Sequence, residues 1–382
     1  MLTALINAKI YTGEKSEPGR SGITGKALLI EDKRIKGIVD KEMIPSGARI
    51  IDCKGAVIAP GFIDIQIYGG GGYLFSNAPS AKALHTMAEA LVQSGTTGFY
   101  VTLATNSMEI FHEAIRVVKE NPHPAVLGLH FEGPYLNPVK RGAHILKYIK
   151  RPEKKEVEEL LHAADGVLKI ITLAPEMCDP AIIKLLRDNG VVLSAGHSNA
   201  TFEEGIKGFE NGITTTTHLF NAMSSIHHRD TGLPGAVFLS ETAYASIIAD
   251  GIHVDFNTLK ISKKIMGKRL FLITDAVEEV KEGAYVHVRK EDRYTLPDNT
   301  LSGSRLTLLK AVENCVKHAG ISLDEALRMA STYPAQVMNL NGRGKIGEGY
   351  EATLTVFTED YQPVFSVVNG EIKDLAITGT RT

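Results

Sequence analysis

The chain has 382 residues, of which 43% are hydrophobic and 23% are charged, a composition typical of a globular protein with a substantial core. Lys and Arg number 42 against 44 Asp and Glu, and no long run of one sign occurs. We therefore expect no nucleic-acid partner and no membrane partner, and a small molecule is the expected ligand.

The cysteines and the N-terminal residues bear on the compartment. Cys53, Cys178 and Cys315 are widely spaced, which fits neither a disulfide framework nor a CxxC metal site. We interpret them as reduced core thiols of a cytoplasmic protein. The first residues, MLTALINAKIYTG, lack a basic start, and the chain has no uncharged stretch of ~18 apolar residues. The sequence predicts neither an export signal nor a membrane span.

Short antiparallel strands are predicted at the N-terminal end. Residues 26–39, KALLIEDKRIKGIV, place two apolar runs on either side of the turn-like EDKR. This pattern is typical of a hairpin.

Eight apolar runs rich in β-branched residues recur between residues 57 and 277. Most are continuous rather than alternating, as in parallel strands covered on both faces. The runs are VIAPGFIDIQIY, TTGFYVTLAT, AVLGLHFEGP, VLKIITLAPE, VVLSAGHS, TTTTHLFNAM, ASIIADGIHV and LFLITDAV.

Segments with helical spacing lie between several of these runs. Residues 107–121 place their apolar side chains on one face, and residues 151–166 begin with a Pro suited to a first helical turn. Ser322, followed three positions later by Glu325, is a capping-box pattern for a later helix. Strands that alternate with helices predict an α/β fold, a (β/α)8 barrel over residues 56–349, rather than an open sheet.

Antiparallel strands are predicted again near the C-terminal end. There ATLTVFTED alternates, and FSVVNGEIK contains Asn369 and Gly370, a strong hairpin pattern. We predict that residues 1–55 and 350–382 meet in one small β-sandwich domain beside the barrel.

The predicted strands end in more polar residues than packing requires, at the edge where barrels of this kind carry their active sites. Glu132, His197 and His218 together supply one oxygen and two nitrogen ligands, a set suited to catalytic zinc with a fourth position for water. Taken singly, Glu132 is more typical of a cap or an ion-pair partner, and each His of a hydrogen-bonded side chain. Their occurrence at three strand ends favours a metal site. The other strand-end residues are Gln66, Tyr68, Asn221, Asp250, His253 and Asp275.

Asp275 closes the eighth run. It is either an N-cap for the next segment, a partner of a nearby Arg, or a general base for a water that the metal activates. Its position at a strand end favours the general base.

Two further features are less specific. Residues 69–72, GGGG, lack the Lys-Ser/Thr of a P-loop and do not fit a dinucleotide fingerprint, so we expect them to let the backbone pass close to the barrel mouth. Arg229 is either a solvated surface side chain or a guanidinium that binds a substrate phosphate.

A family resemblance follows from motifs that occur in order over residues 60–304. They are PGFIDIQIYGGGG, LHFEGPYLNPVKRGAH, LAPE, SAGHSNAT, THLFNAM, DGIHV, TDA and LSGS. With them the chain closely resembles the amidohydrolase superfamily, and HFEGP, SAGHSNAT and THLFNAM are specific to its N-acetylglucosamine-6-phosphate deacetylase family. The resemblance covers nearly the whole chain and implies a TIM-like barrel of the amidohydrolase type flanked by a split β-sandwich.

The resemblance also implies a reaction and a cofactor. The reaction is hydrolysis of the acetamide of N-acetylglucosamine 6-phosphate to glucosamine 6-phosphate and acetate, in amino-sugar metabolism. Glu132, His197 and His218 would hold one divalent metal ion per subunit, with zinc expected and iron, manganese or cobalt as alternatives. Asp275 would be the acid/base, and His144 would polarise the acetamide carbonyl.

The substrate contacts are carried over in the same way. A homodimer is implied, with Arg229 reaching the phosphate in the neighbouring subunit, and His253 would bind a sugar hydroxyl. The positions that match substrate contacts are Ala143, Asn221, Ala222, Arg229, Asp250, His253, Leu301, Ser302 and Gly303.

One departure from the superfamily pattern limits the number of metals. Two-metal amidohydrolases generally end the first strand in His-x-His, whereas this chain has Gln66 and Tyr68 at these vestigial second-metal positions. A neutral amide and a protonated phenol are poor ligands for a second cation. Lys169 lies too early in its strand for a carbamylated bridging ligand, so we predict a single metal.

Three alternatives stay open at this point. One is deacetylation of N-acetylgalactosamine 6-phosphate, and another is a different single-metal amidohydrolase reaction. The third is a barrel that has lost catalysis and serves as a binding protein, which the joint presence of the three ligands and Asp275 disfavours.

Overall fold

The computed structural model of the chain describes residues 1–15 and 22–374, which form 21 β-strands and ten α-helices. The strands, in chain order, are β1 (Leu2–Ile6), β2 (Lys9–Ile10), β3 (Lys26–Glu31), β4 (Arg34–Asp40), β5 (Arg49–Asp52), β6 (Val57–Pro60), β7 (Phe62–Ile67), β8 (Gly69–Gly70), β9 (Tyr73–Leu74), β10 (Thr96–Ala104), β11 (Val126–Glu132), β12 (Leu168–Leu173), β13 (Val192–Ala195), β14 (Thr215–Thr216), β15 (Ala245–Ile248), β16 (Leu270–Ile273), β17 (Val288–Arg289), β18 (Tyr294–Thr295), β19 (Leu354–Phe357), β20 (Pro363–Val368) and β21 (Glu371–Asp374). The helices are α1 (Ala81–Gln93), α2 (Met108–Glu120), α3 (Lys154–Ala164), α4 (Pro180–Asp188), α5 (Phe202–Glu210), α6 (Gly232–Leu239), α7 (Phe256–Met266), α8 (Leu308–Lys317), α9 (Leu323–Ala330) and α10 (Thr332–Val337).

Eight parallel strands form the predicted barrel. Six of them make one sheet in the order β14-β13-β12-β11-β10-β7, and β15 pairs with β16. Main-chain hydrogen bonds cross the two remaining gaps, from Leu219 N to Ser246 O at 2.9 Å and from Asp275 N to Gln66 O at 3.0 Å. The strands are buried along most of their length, which is why the sequence shows continuous apolar runs. The barrel prediction is confirmed.

Helices cover the outside of the barrel, from α1 after β7 to α8 after β16. In α2, the side chains of Ala114, Val117 and Val118 are buried, as their spacing predicts. The expectation that Pro152 occupies the first turn of α3 is wrong. Glu153 has extended backbone and is the N-cap, so the helix begins only after it.

The predicted capping box of α9 forms only in part. The Ser322 hydroxyl accepts a hydrogen bond from Glu325 N at 3.4 Å. The Glu325 carboxylate, however, binds Arg328 and Lys263 instead of the N-cap backbone. Charged partners on neighbouring turns and on α7 therefore compete successfully for this carboxylate.

The two chain ends form two further sheets, with the orders β4-β3-β1-β5 and β2-β6-β19-β20-β21. Both predicted hairpins are present, β3 with β4 and β20 with β21. Asn369 and Gly370 turn the second hairpin with φ of 52° and 83°, as a tight two-residue turn requires. Apolar side chains from both ends, such as Leu28 and Val367, share one core.

The boundary between these sheets and the barrel falls inside the first predicted run. Residues 57–60 form β6, which pairs with β2 and β19, and β7 of the barrel begins only at Phe62. Residues 16–21 and 375–382 of the predicted β-sandwich domain lie outside the described residues. The domain limits stay a prediction.

Other expectations concern burial and turns. Cys53, Cys178 and Cys315 are buried free thiols.

Over residues 1–15 and 22–374, no helix is both long and apolar enough to cross a membrane. The GGGG segment forms the β8–β9 hairpin, and Gly69 N lies 3.3 Å from Ala276 O at the carboxyl ends of the strands.

Candidate active site

A cavity of about 320 Å³ opens at the carboxyl ends of the barrel strands. Most of the predicted site residues line it, namely Tyr68, Glu132, Ala143, His144, His197, His218, Asn221, Ala222, His253, Asp275, Leu301, Ser302 and Gly303. This position agrees with the rule that barrels of this kind place their sites at that edge.

Glu132 is the last residue of β11 and is 2% exposed. Gly133 follows it with φ of 89°, and a Cβ there would lie 2.1 Å from the Thr105 hydroxyl oxygen. Because glycine leaves this space free, the Thr105 hydroxyl fits between the Glu132 carbonyl oxygen at 3.0 Å and His144 Nδ1 at 2.9 Å, two acceptors for its hydrogen. The strand therefore ends with the Glu132 carboxylate held inside the barrel mouth.

Three basic atoms converge on one point of the cavity. Glu132 Oε1 lies 3.3 Å from His197 Nε2 and 3.1 Å from His218 Nε2, and the two Nε2 atoms are 3.1 Å apart. Ligand atoms that sit about 2.1 Å from a tetrahedral zinc ion are about 3.4 Å from one another. The three atoms are thus spaced as the corners of one metal polyhedron.

The tautomer of His197 leaves its Nε2 lone pair free. Its Nδ1 lies 2.9 Å from the Lys140 carbonyl oxygen, which can only accept, so Nδ1 carries the hydrogen. A backbone carbonyl in this place is the usual outer partner of a metal-binding histidine. The donor set and its spacing fit one divalent cation.

His144 is also close to Glu132 but differs from the other two histidines. The amide N–H of Thr105 donates to its Nδ1 at 3.1 Å, so the neutral ring carries its hydrogen on Nε2. That Nε2–H donates to Glu132 Oε2 at 2.9 Å. Glu132, His144 and His197 offer ligand atoms within 4.8 Å of one another, but this tautomer makes His144 a hydrogen-bond donor.

The charges of the site follow from burial and proximity. Burial alone would raise the pKa of Glu132, but the neighbouring His197 and His144 lower it well below its ordinary value. Burial and the charge of Glu132 raise the pKa of Asp275 well above its ordinary value. Burial lowers the pKa of His144 to about 4. The cavity thus pairs one ionised carboxylate with one that readily holds a proton.

The backbone is strained where the predicted site residues stand. His197, His218 and Asp275 have φ of 47°, 32° and 55°, in the left-handed region that residues other than glycine seldom adopt. Each such residue costs on the order of 1–3 kcal/mol and persists only where its surroundings hold it. Three of the residues in this backbone region therefore stand at the carboxyl ends of strands and carry predicted site side chains.

Three predicted site residues do not line the cavity. Gln66 lies just beneath it, and Asp250 accepts the Nδ1–H of His253 at 2.6 Å, which orients that ring at the wall. Arg229 is exposed on the loop after β14 and is not a cavity residue in the single chain. Its substrate contact stays a prediction.

Sequence reasoning did not single out several residues that line the cavity. Lys140 lies within a quoted motif and supplies the carbonyl that orients His197. Tyr285 and His287 come from the segment between β16 and α8, where the sequence has no clear periodicity. Tyr285 donates to the Thr105 carbonyl at 2.5 Å, and His287 contacts the Ser302 hydroxyl at 3.0 Å. No spacing pattern would have found these contacts.

Comparison with known proteins places the chain in a family. Residues 57–381 match the Amidohydrolase family. The chain is 35% identical to the N-acetylglucosamine-6-phosphate deacetylase of Haemophilus influenzae, over 98% of this chain and 100% of that one. The chain belongs to the amidohydrolase family. It is also 35% identical to the N-acetylgalactosamine-6-phosphate deacetylase of a Shewanella species, over 83% of each chain.

A solved structure agrees over nearly the full length. The crystal structure of N-acetylglucosamine-6-phosphate deacetylase from Pasteurella multocida superposes with a TM-score of 0.93 at 36% identity, covering 98% of this amidohydrolase and 100% of that chain. The fold and the resemblance inferred from the motifs are therefore confirmed.

In this amidohydrolase an amide occupies the space between two carboxylates. Gln66 Nε2 donates to Glu132 Oε1 at 2.9 Å and to Asp275 Oδ1 at 2.7 Å. The Tyr68 hydroxyl donates to Glu132 Oε2, and burial raises the pKa of this phenol well above its ordinary value. Gln66 and Tyr68, the predicted vestigial second-metal positions, thus supply N–H and O–H donors rather than lone pairs.

Asp64, completely buried in β7, supports this arrangement from below. Its carboxylate accepts hydrogen bonds from Gln66 N at 3.1 Å and from the Thr274 hydroxyl at 2.5 Å. Gln66 follows Ile65 in the chain, and Thr274 precedes Asp275. Burial raises the pKa of Asp64 to about 7. The carboxyl therefore binds a proton more tightly in the folded state than in the unfolded chain.

Asp64→Asn should change how stability depends on pH. Because the pKa is higher in the folded state, the wild type gains stability below the unfolded pKa of about 4 and loses it as pH rises toward 7, with a slope of up to ~1.4 kcal/mol per pH unit. Asn does not titrate, so this pH-dependent loss should be absent from the variant. Between pH 5 and pH 8 the free energy of unfolding of the wild type should therefore fall relative to that of the variant. Urea unfolding of both proteins without metal measures it, and parallel profiles would contradict the prediction.

Proposed function

We propose that the protein is a metal-dependent deacetylase that hydrolyses the acetamide of N-acetylglucosamine 6-phosphate to glucosamine 6-phosphate and acetate. The observation that carries the proposal is the convergence of Glu132 Oε1 with two imidazole Nε2 atoms in the cavity. The Gln66 amide donates to both Glu132 and Asp275 and so places Asp275 beside this point. Relatives of the same length that are named for this activity support the substrate.

One divalent cation is proposed for the site, held by Glu132, His197 and His218. Zinc suits one carboxylate and two imidazoles, and iron, manganese and cobalt are the alternatives. The cation would supply Lewis acidity and lower the pKa of a water molecule to about 7.

Asp275 is proposed as the acid and base. It would take a proton from the attacking water and return it to the nitrogen as the C–N bond breaks, so that the water oxygen ends in acetate and the amine leaves neutral. The buried position that raises its pKa lets Asp275 hold that proton between the two steps.

His144 is proposed to stabilise the charge that develops on the acetamide oxygen. His144 lines the cavity, and its Nε2–H donates to Glu132 Oε2. For this role the Nε2–H would exchange that acceptor for the acetamide oxygen, where a donor stabilises the developing charge in the transition state. The Thr105 amide keeps the hydrogen on the correct nitrogen.

Phosphate recognition is proposed to involve a second subunit. Arg229 lies on an exposed loop outside the cavity of its own chain. In a homodimer, this guanidinium could reach the substrate phosphate of the partner, which would account for its exposure and for its position outside its own cavity. Arg suits this role because it binds phosphate through two N–H donors. Apart from Asp250, which orients His253, the remaining predicted contacts line the cavity, including Asn221 and His253 itself.

Steady-state kinetics with two epimers would test the substrate. The N-acetylglucosamine 6-phosphate should give the highest kcat/KM, and the sugar without phosphate should be poor. The Shewanella relative makes N-acetylgalactosamine 6-phosphate the second candidate. Chelation should abolish acetate release and added zinc should restore it. Equal rates with and without the 6-phosphate, or full activity in metal-depleted protein, would contradict the proposal.

Asp275→Asn should abolish turnover without emptying the metal site. Loss of a general acid and base lowers kcat by about 10²- to 10⁴-fold. The metal content per chain should stay at the wild-type value because Asp275 is not one of the three ligands. Asp360→Asn, at an exposed turn, is the matched control and should leave kcat unchanged. A fully active Asp275→Asn protein would refute the assigned role.

Two alanine variants should separate the ligand from the donor. His218→Ala should lose bound metal after dialysis, and His144→Ala should retain it while its kcat falls. Elemental analysis of both proteins against wild type measures this. The opposite result, with metal lost from His144→Ala and kept by His218→Ala, would assign the third ligand to His144.

A further inference from the structure

A chain of buried hydroxyls crosses the barrel interior directly below the cavity. Ser194 Oγ lies 2.5 Å from Thr217 Oγ1, which lies 2.7 Å from Thr172 Oγ1. Thr172 Oγ1 lies 2.8 Å from His130 Nε2, and His130 Nδ1 lies 2.7 Å from the Ile65 carbonyl oxygen. All five residues are at most 3% exposed. We refer to this set as the interior chain.

The hydrogen bonds of the interior chain run in one direction. The Ile65 carbonyl only accepts, so His130 carries its hydrogen on Nδ1, and the neutral ring accepts at Nε2. Thr172 must then donate to His130, Thr217 to Thr172, and Ser194 to Thr217. Each hydroxyl therefore has one fixed orientation, and no member can be reversed without breaking the set.

The interior chain joins strands that the sheet leaves apart. Thr172 in β12 and Thr217 after β14 are separated by β13, and His130 in β11 and Ile65 in β7 are separated by β10. Two of its four hydrogen bonds therefore span the barrel interior rather than link neighbours. Their effect is to fix the relative positions of five strand segments.

Those segments deliver the proposed ligands. Glu132 lies two residues after His130, His197 three residues after Ser194, and His218 immediately after Thr217. The two histidines stand in strained left-handed backbone, which requires support from the surrounding structure. The interior chain binds the residues directly beneath both.

We infer that the interior chain is a positioning device for the metal site, in which Thr172 and Thr217 act through the backbone that carries Glu132, His197 and His218. The inference rests on the proposed metal site but not on the identity of the substrate. It also gives a role to residues of the LHFEGP, SAGHS and THLFNAM motifs that make no contact with the cavity. Groups that hydrogen-bond directly to metal ligands typically change metal affinity by about 10- to 100-fold, and we take this range for the interior chain, which acts through the backbone.

The test is the metal affinity of Thr172→Val, measured by chelator competition on the folded full-length protein with zinc. Valine keeps the shape of threonine but cannot donate to His130 or accept from Thr217. We expect its zinc dissociation constant to rise by about 10- to 100-fold. Thr172→Ser keeps the hydroxyl and should restore an affinity close to wild type.

Thr355→Val is the matched control. Thr355 is also completely buried, and its hydroxyl makes two hydrogen bonds, to Gly95 O at 2.6 Å and from Phe62 N at 3.1 Å, at the amino end of the barrel strands. It should lower the free energy of unfolding without changing zinc affinity. A loss of zinc affinity in Thr172→Val but not in Thr355→Val would then indicate a positioning role, because both variants lose buried hydrogen bonds.

The outcomes separate this inference from the proposed function. A wild type that binds no zinc would overturn the proposed function itself. A wild type that binds zinc, with Thr172→Val binding equally well, would overturn only the inference, and so would Thr172→Ser binding as weakly as Thr172→Val. If Thr172→Val does not fold, the pair Thr217→Val and Thr217→Ser makes the same comparison, with the same expected and overturning results.

Discussion

The convergence of Glu132 Oε1 with the Nε2 atoms of His197 and His218 is the constraint on which the rest of the interior depends. Three basic atoms buried within about 3 Å of one another are costly unless a proton or a cation is shared among them. A carboxylate at the end of a buried apolar strand, unfavourable in isolation, is accommodated because hydrogen-bond donors and imidazoles from other strands surround it. The same surroundings hold two of these residues in strained backbone.

Much of the fold could be predicted from the chain, because barrel strands covered on both faces leave continuous apolar runs. All eight runs are strands, and the hairpin at Asn369 and Gly370 follows from a turn that few other residue pairs allow. The predictions that failed concern residues whose local preference is overridden by contacts with other parts of the chain. Glu325 matches a capping box, but Arg328 and Lys263 bind its carboxylate more strongly than the helix backbone does. The first run divides into two strands at Pro60 and Gly61 because β6 pairs with the chain ends, and that long-range pairing could not be predicted from local sequence.

The candidate site was less predictable than the fold. Strand-end position identified several of the side chains that line the cavity, such as Glu132, His197 and Asp275, since a parallel barrel collects strand ends at one edge. It could not give the tautomer of His144, which depends on the Thr105 amide, or the orientation of Gln66 between two carboxylates. Ser194, Thr172 and Thr217 give no signal in the sequence, because nothing in their spacing indicates that their hydroxyls contact one another. Only the structure shows that they contact one another across the barrel.

The amide of Gln66 has one further consequence. A second cation between Glu132 and Asp275 would dissociate and exchange with its surroundings, whereas a covalently attached amide is always present. The hydrogen bond that Asp275 accepts from Gln66 therefore does not depend on the metal supply of the cell. In the proposed single-metal site, a partly loaded population would consist of two species, loaded and empty, rather than a mixture of mononuclear and binuclear forms.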